Sequence, residues 1–192
     1  MARTTGSLAL ALILSSPAAA RADQVPLTSE APPAPPPPSA GPRVGGHFGT
    51  AIPIVTFDSD ATTSIGSDFW AVGITPGITV KLDDRWMIDF EFIGVSRWEK
   101  VKDGPDVSRT VFVVDPGVLY NFGSVVAGVR AATVTGVGQP FNLGVVPIVV
   151  LPFSISSKVK YFVELDVPMF INAVPDKTTE SVGLQFQTGF AF

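Results

Sequence analysis

The stretch that decides the fold is the last one, Val182–Phe192, which reads V-G-L-Q-F-Q-T-G-F-A-F. Val182, Leu184, Phe186, Phe190 and Phe192 fall on one face at a period of two, and Gly183, Gln185, Gln187, Gly189 and Ala191 fall on the other. Side chains alternate across a β-strand, so this is a strand with one greasy face and one polar or small face. In a soluble sandwich the greasy face would turn into a core; in a membrane barrel it would meet lipid. The rest of the chain discriminates between the two.

Seven more alternating segments precede it, over roughly 44–56, 69–82, 85–98, 110–122, 125–135, 141–153 and 159–171. The third sets Trp86, Ile88, Phe90 and Phe92 against Arg85, Asp89, Glu91 and Arg97. The fourth sets Phe112, Val114, Val118 and Tyr120 against Asp115, Gly117 and Asn121, and the fifth places Arg130 opposite Val129 and Ala131. The seventh opposes Tyr161, Val163 and Leu165 to Lys160, Glu164 and Asp166. Connections after odd-numbered segments are mostly long and polar, as over 58–68, 99–109 and 172–181; those after even-numbered ones are tight turns, such as Asp83-Asp84 and Gly123-Ser124. This is the rhythm of an up-and-down barrel with short turns at one end and longer loops at the other. Strands of about 11 to 14 residues also exceed the soluble norm of about 5 to 6 and suit a tilted membrane strand.

Aromatic placement agrees. Trp70 and Trp98 lie nearest the long connections, while Trp86, Tyr120, Tyr161 and Phe192 lie nearest the short turns, all on the apolar side. Two belts separated by aliphatic residues are what two lipid–water interfaces select. In a soluble barrel the apolar side would face inward, and the opposite faces here are too poor in Lys and Glu to make a soluble exterior.

Composition sets the remaining bounds. The chain has 192 residues, 46% of them hydrophobic and 16% charged, with a mean hydropathy of +0.37, which is apolar for a soluble domain. There is no Cys, hence no disulfide framework and no lipidated cysteine. The net charge of -4 argues against nucleic acid as a partner. Residues 1–22 read as a secretory signal peptide, with Arg3, the apolar run Leu8 to Leu14 and small residues before Ala20-Arg21-Ala22. Residues 23–42, with Pro32, Pro33 and Pro35 to Pro38, read as a Pro-rich, disordered periplasmic segment that serves as a spacer or touches a periplasmic partner.

With these residues in view, Arg43 to Phe192 resembles the eight-stranded outer-membrane barrels of the OmpA, OmpX and OmpW type, in strand number, loop rhythm, aromatic belts and the terminal Phe192. The resemblance implies an all-β fold, an eight-stranded antiparallel up-and-down transmembrane β-barrel in the bacterial outer membrane, over residues 43–192. It also implies that Leu184, Phe186, Phe190 and Phe192 form an insertion signal, read by the barrel-assembly machinery through the C-terminal strand. Outer-membrane lipid is then the surrounding partner.

Six prolines, Pro53, Pro76, Pro116, Pro147, Pro152 and Pro168, fall inside the expected strands, and each removes a ladder donor. Bulges or ladder gaps are expected there, with face assignments shifted by one beyond some of them.

Inside such a barrel, Asp89, Glu91, Arg130 and Glu164 reach similar depth, with Asp115 and Asp166 a little higher. An eight-stranded barrel is just wide enough for side chains to fill it, so buried charges must pair. Arg130 is expected to bridge Glu91, Asp89 or Glu164 and close the lumen. Acids outnumber bases, so a proton, water or a cation must meet the surplus. Barrel enzymes that modify lipid A need a His near the outer leaflet; the single His, His47, falls near the opposite end and inside. One His and no Cys leave no metal site of His or Cys type, and no cofactor is implied. The acids Asp58, Asp60 and Asp68, and Glu99 with Arg109, read as solvated loop charges. The expected function is therefore a small non-enzymatic barrel with a structural or surface-interaction role. The alternative is a narrow channel for small or hydrophobic solutes in the OmpW manner, and a lipid A-modifying enzyme ranks third.

Overall fold

The computed structural model describes residues 41–192 other than 60, 102, 175 and 176. The leader over 1–22 and the greater part of the Pro-rich segment lie outside the described residues. The chain forms β1 (Arg43–Asp58), β2 (Thr62–Ser64), β3 (Phe69–Lys81), β4 (Trp86–Glu99), β5 (Val107–Asn121), β6 (Val126–Thr135), β7 (Phe141–Ser154), β8 (Lys160–Asp166), β9 (Met169–Val174) and β10 (Lys177–Ala191). All pairings between these strands are antiparallel, and β1 pairs with β10, so the sheet closes on itself. Because β8 and β9 are two halves of one wall and β2 is a short flap on β1, the ring has eight walls.

Directly opposed residues can be followed around the ring from Arg43 through Lys81, Met87, Leu119, Gly128, Ile148, Asp166 and Gln185 back to β1. The path returns at Pro53, ten residues from its start. At about 3.3 Å per residue along a strand and about 4.8 Å between strands, that stagger tilts the strands by roughly 40°. The tilt explains why the strands must be long to span a hydrocarbon layer.

Polarity is inverted relative to a soluble barrel. Phe48, Trp70, Ile74, Ile78, Ile88, Phe90, Val118, Val149, Leu165 and Phe190 face outward and are exposed, whereas His47, Asp89, Glu91, Asp115, Arg130, Glu164, Asp166 and Gln187 are buried inside. Such an exterior exposes a continuous apolar band, which water disfavours and lipid accepts. The chain is an eight-stranded antiparallel up-and-down barrel of the transmembrane type. Among the described residues no helix is long and apolar enough to cross a membrane.

The prolines act through hydrogen-bond direction. In an antiparallel strand the N–H and C=O of one residue point to the same neighbour, so a proline breaks the ladder on one side only. Pro76 opposes Phe48 regularly, while the β3–β4 ladder jumps from Ile74 to Gly77. Pro116 opposes Phe90 regularly, while the β5–β6 ladder jumps from Val114 to Gly117. Pro53 is followed by a bulge at Ile54, where the register with β10 shifts, so Ile54 leaves the outward alternation expected for it. Pro152 pairs with Phe162 at the rim, past the last β6 partner. Pro168 divides β8 from β9, next to Val167, which lies across from Pro147. There Val167 N donates to Pro147 O at 3.0 Å and Gly183 N to Pro168 O at 2.7 Å, but neither proline has an N–H to return the bond.

Two connections differ from expectation. The segment over 172–181 is not a loop: β9 and β10 continue as a hairpin, with Lys177 opposite Val174 and Val182 opposite Met169. Beyond the lipid both faces of a hairpin meet water, so no alternation marks it in the sequence. In the first connection, Thr62–Ser64 pairs back onto Val55–Phe57.

Candidate functional site

The interior is layered. At the short-turn mouth stand Arg43, Lys81 and Lys160, and just within it Met87, Leu119, Val126, Val150 and Phe162 wall a cavity of about 450 Å³. The cavity ends on His47, Asp89, Arg130 and Glu164. Beyond this polar layer, toward the long loops, Ala51, Phe69, Ala71, Ile93 and Val95 form an apolar cluster. Ala132, Val146 and Ile148 pack with the inward Phe170. Arg97 covers Phe69, its Cζ 3.8 Å from the ring centroid.

Arg130 is the centre of the polar layer and is 2% exposed. Its Nε and Nη2 donate to Asp89 Oδ2 at 3.1 and 2.8 Å, and its Nη1 donates to Glu91 Oε2 at 2.9 Å and Glu164 Oε1 at 2.7 Å. Asp115 Oδ2 lies 3.8 Å from Nη1. One guanidinium thus ties β6 to β4 and β8 across the lumen, using its planar fork of donors. The backbone makes room for it: Gly117 lies directly opposite, and a Cβ there would come within 2.5 Å of Arg130 Cγ.

Asp166 joins from one residue pair higher. Gln187 Nε2 donates to Asp166 Oδ2 at 2.7 Å and to Glu91 Oε2 at 3.2 Å, linking β10 to β8 and β4. His47 Nε2 shares a hydrogen bond with Glu91 Oε1 at 3.1 Å, and its Nδ1 approaches Thr79 Oγ1 at 3.4 Å and Asp89 Oδ1 at 3.8 Å. The structure therefore brings all six sequence-selected charges, Asp89, Glu91, Asp115, Arg130, Glu164 and Asp166, into one layer. Gln187, Thr79 and His47 complete it. Gln187 carries no charge, and a Q-x-Q pattern in a strand is no signal of a lumen role. Asp115 Oδ1, Asp166 Oδ1, Gln187 Oε1 and Thr75 Oγ1 are buried without a hydrogen-bond partner. Among the described residues no set of His, Asp and Glu is arranged to hold a metal ion.

The belt residues stand where the walls meet the two ends. Trp70 and Trp98 are directly opposed on β3 and β4 and both exposed. At the other end Trp86 packs edge-on against Tyr120 at 4.9 Å between centroids, and Tyr161 contacts Phe153 and Phe190. Phe192 is exposed and its backbone bonds both ways with Gly46, while Leu184 and Phe186 share the outward alternation of Phe190.

The loop charges are less free than their sequence suggests. Asp68 Oδ2 accepts from Ser64 N and Ser67 Oγ, both at 2.8 Å. These bonds, the Ser64 amide first, hold its carboxyl below the usual range. Glu99 accepts from Arg109 at 2.6 and 2.7 Å and lies 3.1 Å from Arg97 Nε. The reading of these groups as merely solvated is thereby corrected: Glu99 and its arginines face one another across adjacent strands, a juxtaposition set by register and hidden in the linear sequence. At the opposite end Asp83 Oδ1 accepts from Trp86 N at 2.6 Å and Arg85 N at 2.7 Å. Its carboxyl is held low by these two amides, that of Trp86 first.

No protein-family model matches the chain, and no curated protein matches it. Among solved structures it is similar to Ail, the attachment invasion locus protein of Yersinia pestis, at 13% identity and a TM-score of 0.45, over 79% of this chain and 99% of that one. It is also similar to the de novo designed barrel TMB2.3, at 17% identity and a TM-score of 0.41, over 79% of this chain and 94% of that one.

Proposed function

We propose that the chain is a small outer-membrane barrel without enzymatic activity, acting in a structural or surface-interaction role through its loop end. The observation that carries this reading is the Arg130 layer, in which one buried guanidinium engages Asp89, Glu91 and Glu164 across the lumen. A lumen filled at mid-height leaves no through-path, so exchange with the exterior falls to the loops. His47 faces the inside of the barrel and spends its ring nitrogens on Glu91 and Thr79, which argues against a hydrolase role at the outer leaflet. In this reading residues 1–22 direct export, the C-terminal strand is recognised by the barrel-assembly machinery, outer-membrane lipid surrounds the walls, and the Pro-rich segment extends into the periplasm.

A second reading, a narrow channel for small or hydrophobic solutes, is favoured by one observation. The ladder is interrupted at Pro147 and Pro168, and beside this seam lies an outward groove of about 430 Å³ lined by Leu143, Val145, Met169 and Ile171. Conductance across planar bilayers separates the two. A wild-type barrel that stays closed, with Arg130→Ala closed as well, removes the channel reading. Steady wild-type conductance, raised further by Arg130→Ala, overturns the sealed one.

A further inference from the structure

The cavity at the short-turn mouth has no part in the sealed-lumen reading, yet its lining is built unlike an ordinary rim. Met87, Leu119, Val126, Val150 and Phe162 supply apolar walls around about 450 Å³, within the size range of small-molecule pockets. Above these walls the inward positions at the strand ends are cations: Arg43 on β1, Lys81 on β3 and Lys160 on β8, with Lys158 in the neighbouring turn. Lys81 lies within electrostatic reach of both Lys160 and Arg43.

Like charges gathered at a partly enclosed mouth call for an acid, and the acids at this mouth are already committed. Asp83 is spent on the amides of Arg85 and Trp86, and Asp84 on Arg43 at 3.0 Å. At the cavity floor Asp89 and Glu164 are spent on Arg130. Among the described residues the ammonium groups of Lys81, Lys158 and Lys160 take part in no ion pair and no hydrogen bond. The mouth thus offers unneutralised cations over apolar walls.

We propose that this mouth binds a small amphipathic anion, a carboxylate, sulfonate or phosphate head on an apolar body. Lys81 and Lys160 hold the head, and the body lies against Met87, Leu119, Val150 and Phe162. An acidic floor keeps the head at the rim and sets the orientation. The cavity ends on the Arg130 layer, so its ligand enters from the short-turn side.

The test is equilibrium binding of naphthalene-2-sulfonate to the full chain in nanodiscs of zwitterionic lipid, with neutral naphthalene-2-sulfonamide as the control. Wild type is expected to bind one sulfonate per barrel saturably. Lys81→Gln and Lys160→Gln should each weaken binding about tenfold, as loss of one charge-assisted contact does, and Lys81→Arg should restore it. Leu119→Trp, which fills the cavity, should abolish binding while the heat-modifiable gel shift of the folded barrel persists. Absence of saturable binding by wild type, binding by both glutamine variants equal to that of wild type, or sulfonamide binding as tight as sulfonate would each overturn the proposal.

Discussion

His47 lies directly across from Gly77, and its imidazole occupies the space a side chain there would need: a Cβ on Gly77 would sit 2.1 Å from both Cε1 and Nε2. The Cε1–Nε2 edge of the ring therefore lies over Gly77, and its Nε2 reaches Glu91 at 3.1 Å. Gly77→Ala is expected to destabilise the barrel by about 1 to 3 kcal/mol through overpacking. In a His47→Ala background the same change should cost less than half as much, because the clash has gone. Reversible urea unfolding of the four proteins in lipid micelles measures this, and additive costs would contradict the geometry.

Removing the central cation should be worse than removing the contacts it makes. Arg130→Met leaves Asp89, Glu91 and Glu164 buried without their counter-charge, and a cost of about 3 to 5 kcal/mol is expected. Combining it with Asp89→Asn, Glu91→Gln and Glu164→Gln should return a large part of that loss, since the surplus charge leaves too. A combined variant less stable than Arg130→Met alone would show that the network stabilises through hydrogen bonds rather than charge balance.

The turn at Asp83 carries a local pH dependence. Its carboxyl is held below the usual range in the fold by the Trp86 and Arg85 amides. A depressed folded pKa means that the stabilisation is fully present above the unfolded value of about 4 and is lost as pH falls through the folded one. Hydrogen exchange of the Trp86 and Arg85 amides should therefore speed up on acidification below about pH 4 by more than intrinsic chemistry accounts for. In Asp83→Ala those amides should exchange fast at every pH.

On the two sides of the β8–β9 wall, single hydrogen bonds stand where a regular ladder would place reciprocal pairs: Val167 N to Pro147 O on the β7 side of this seam, and Gly183 N of β10 to Pro168 O on the other. These two amides should exchange faster than those of the uninterrupted β4–β5 ladder, such as Ile93 and Val113. Equal protection would mean that the seam is held by something besides the ladder.

How much of this was legible in the sequence follows from where alternation operates. Between Trp86 and Phe92 lipid demands apolar residues on one face and the lumen accepts charge on the other, so face and depth could both be read. Asp89, Glu91, Arg130 and Glu164 were legible because a charge that alternates with apolar residues along a membrane strand can point only into the lumen. Val146 and Ile148 were missed as lumen residues because both faces of their strand are apolar, and a pattern of period two is silent there; Phe162 was missed because it is an apolar residue among the charges Lys160, Glu164 and Asp166 of its face. The β9–β10 hairpin was missed because it lies in water on both faces, and the Glu99–Arg109 pair because it depends on register between strands. The cavity at the mouth needed the stagger of the ring to bring Lys81 near Lys160, which lie 79 positions apart in the chain.

The central claim is that the apolar faces meet lipid and the charged faces enclose the lumen. Single cysteines at Ile88, Val118 and Val149, which face outward, and at Ala132 and Val146, which face inward, should be labelled with an environment-sensitive fluorophore. The barrel is then folded into bilayers containing a lipid-attached quencher. Strong quenching at the first three positions and little at the last two is the predicted result. Quenching at Ala132 and Val146 with none at Ile88, Val118 and Val149 would turn the barrel inside out and contradict the account.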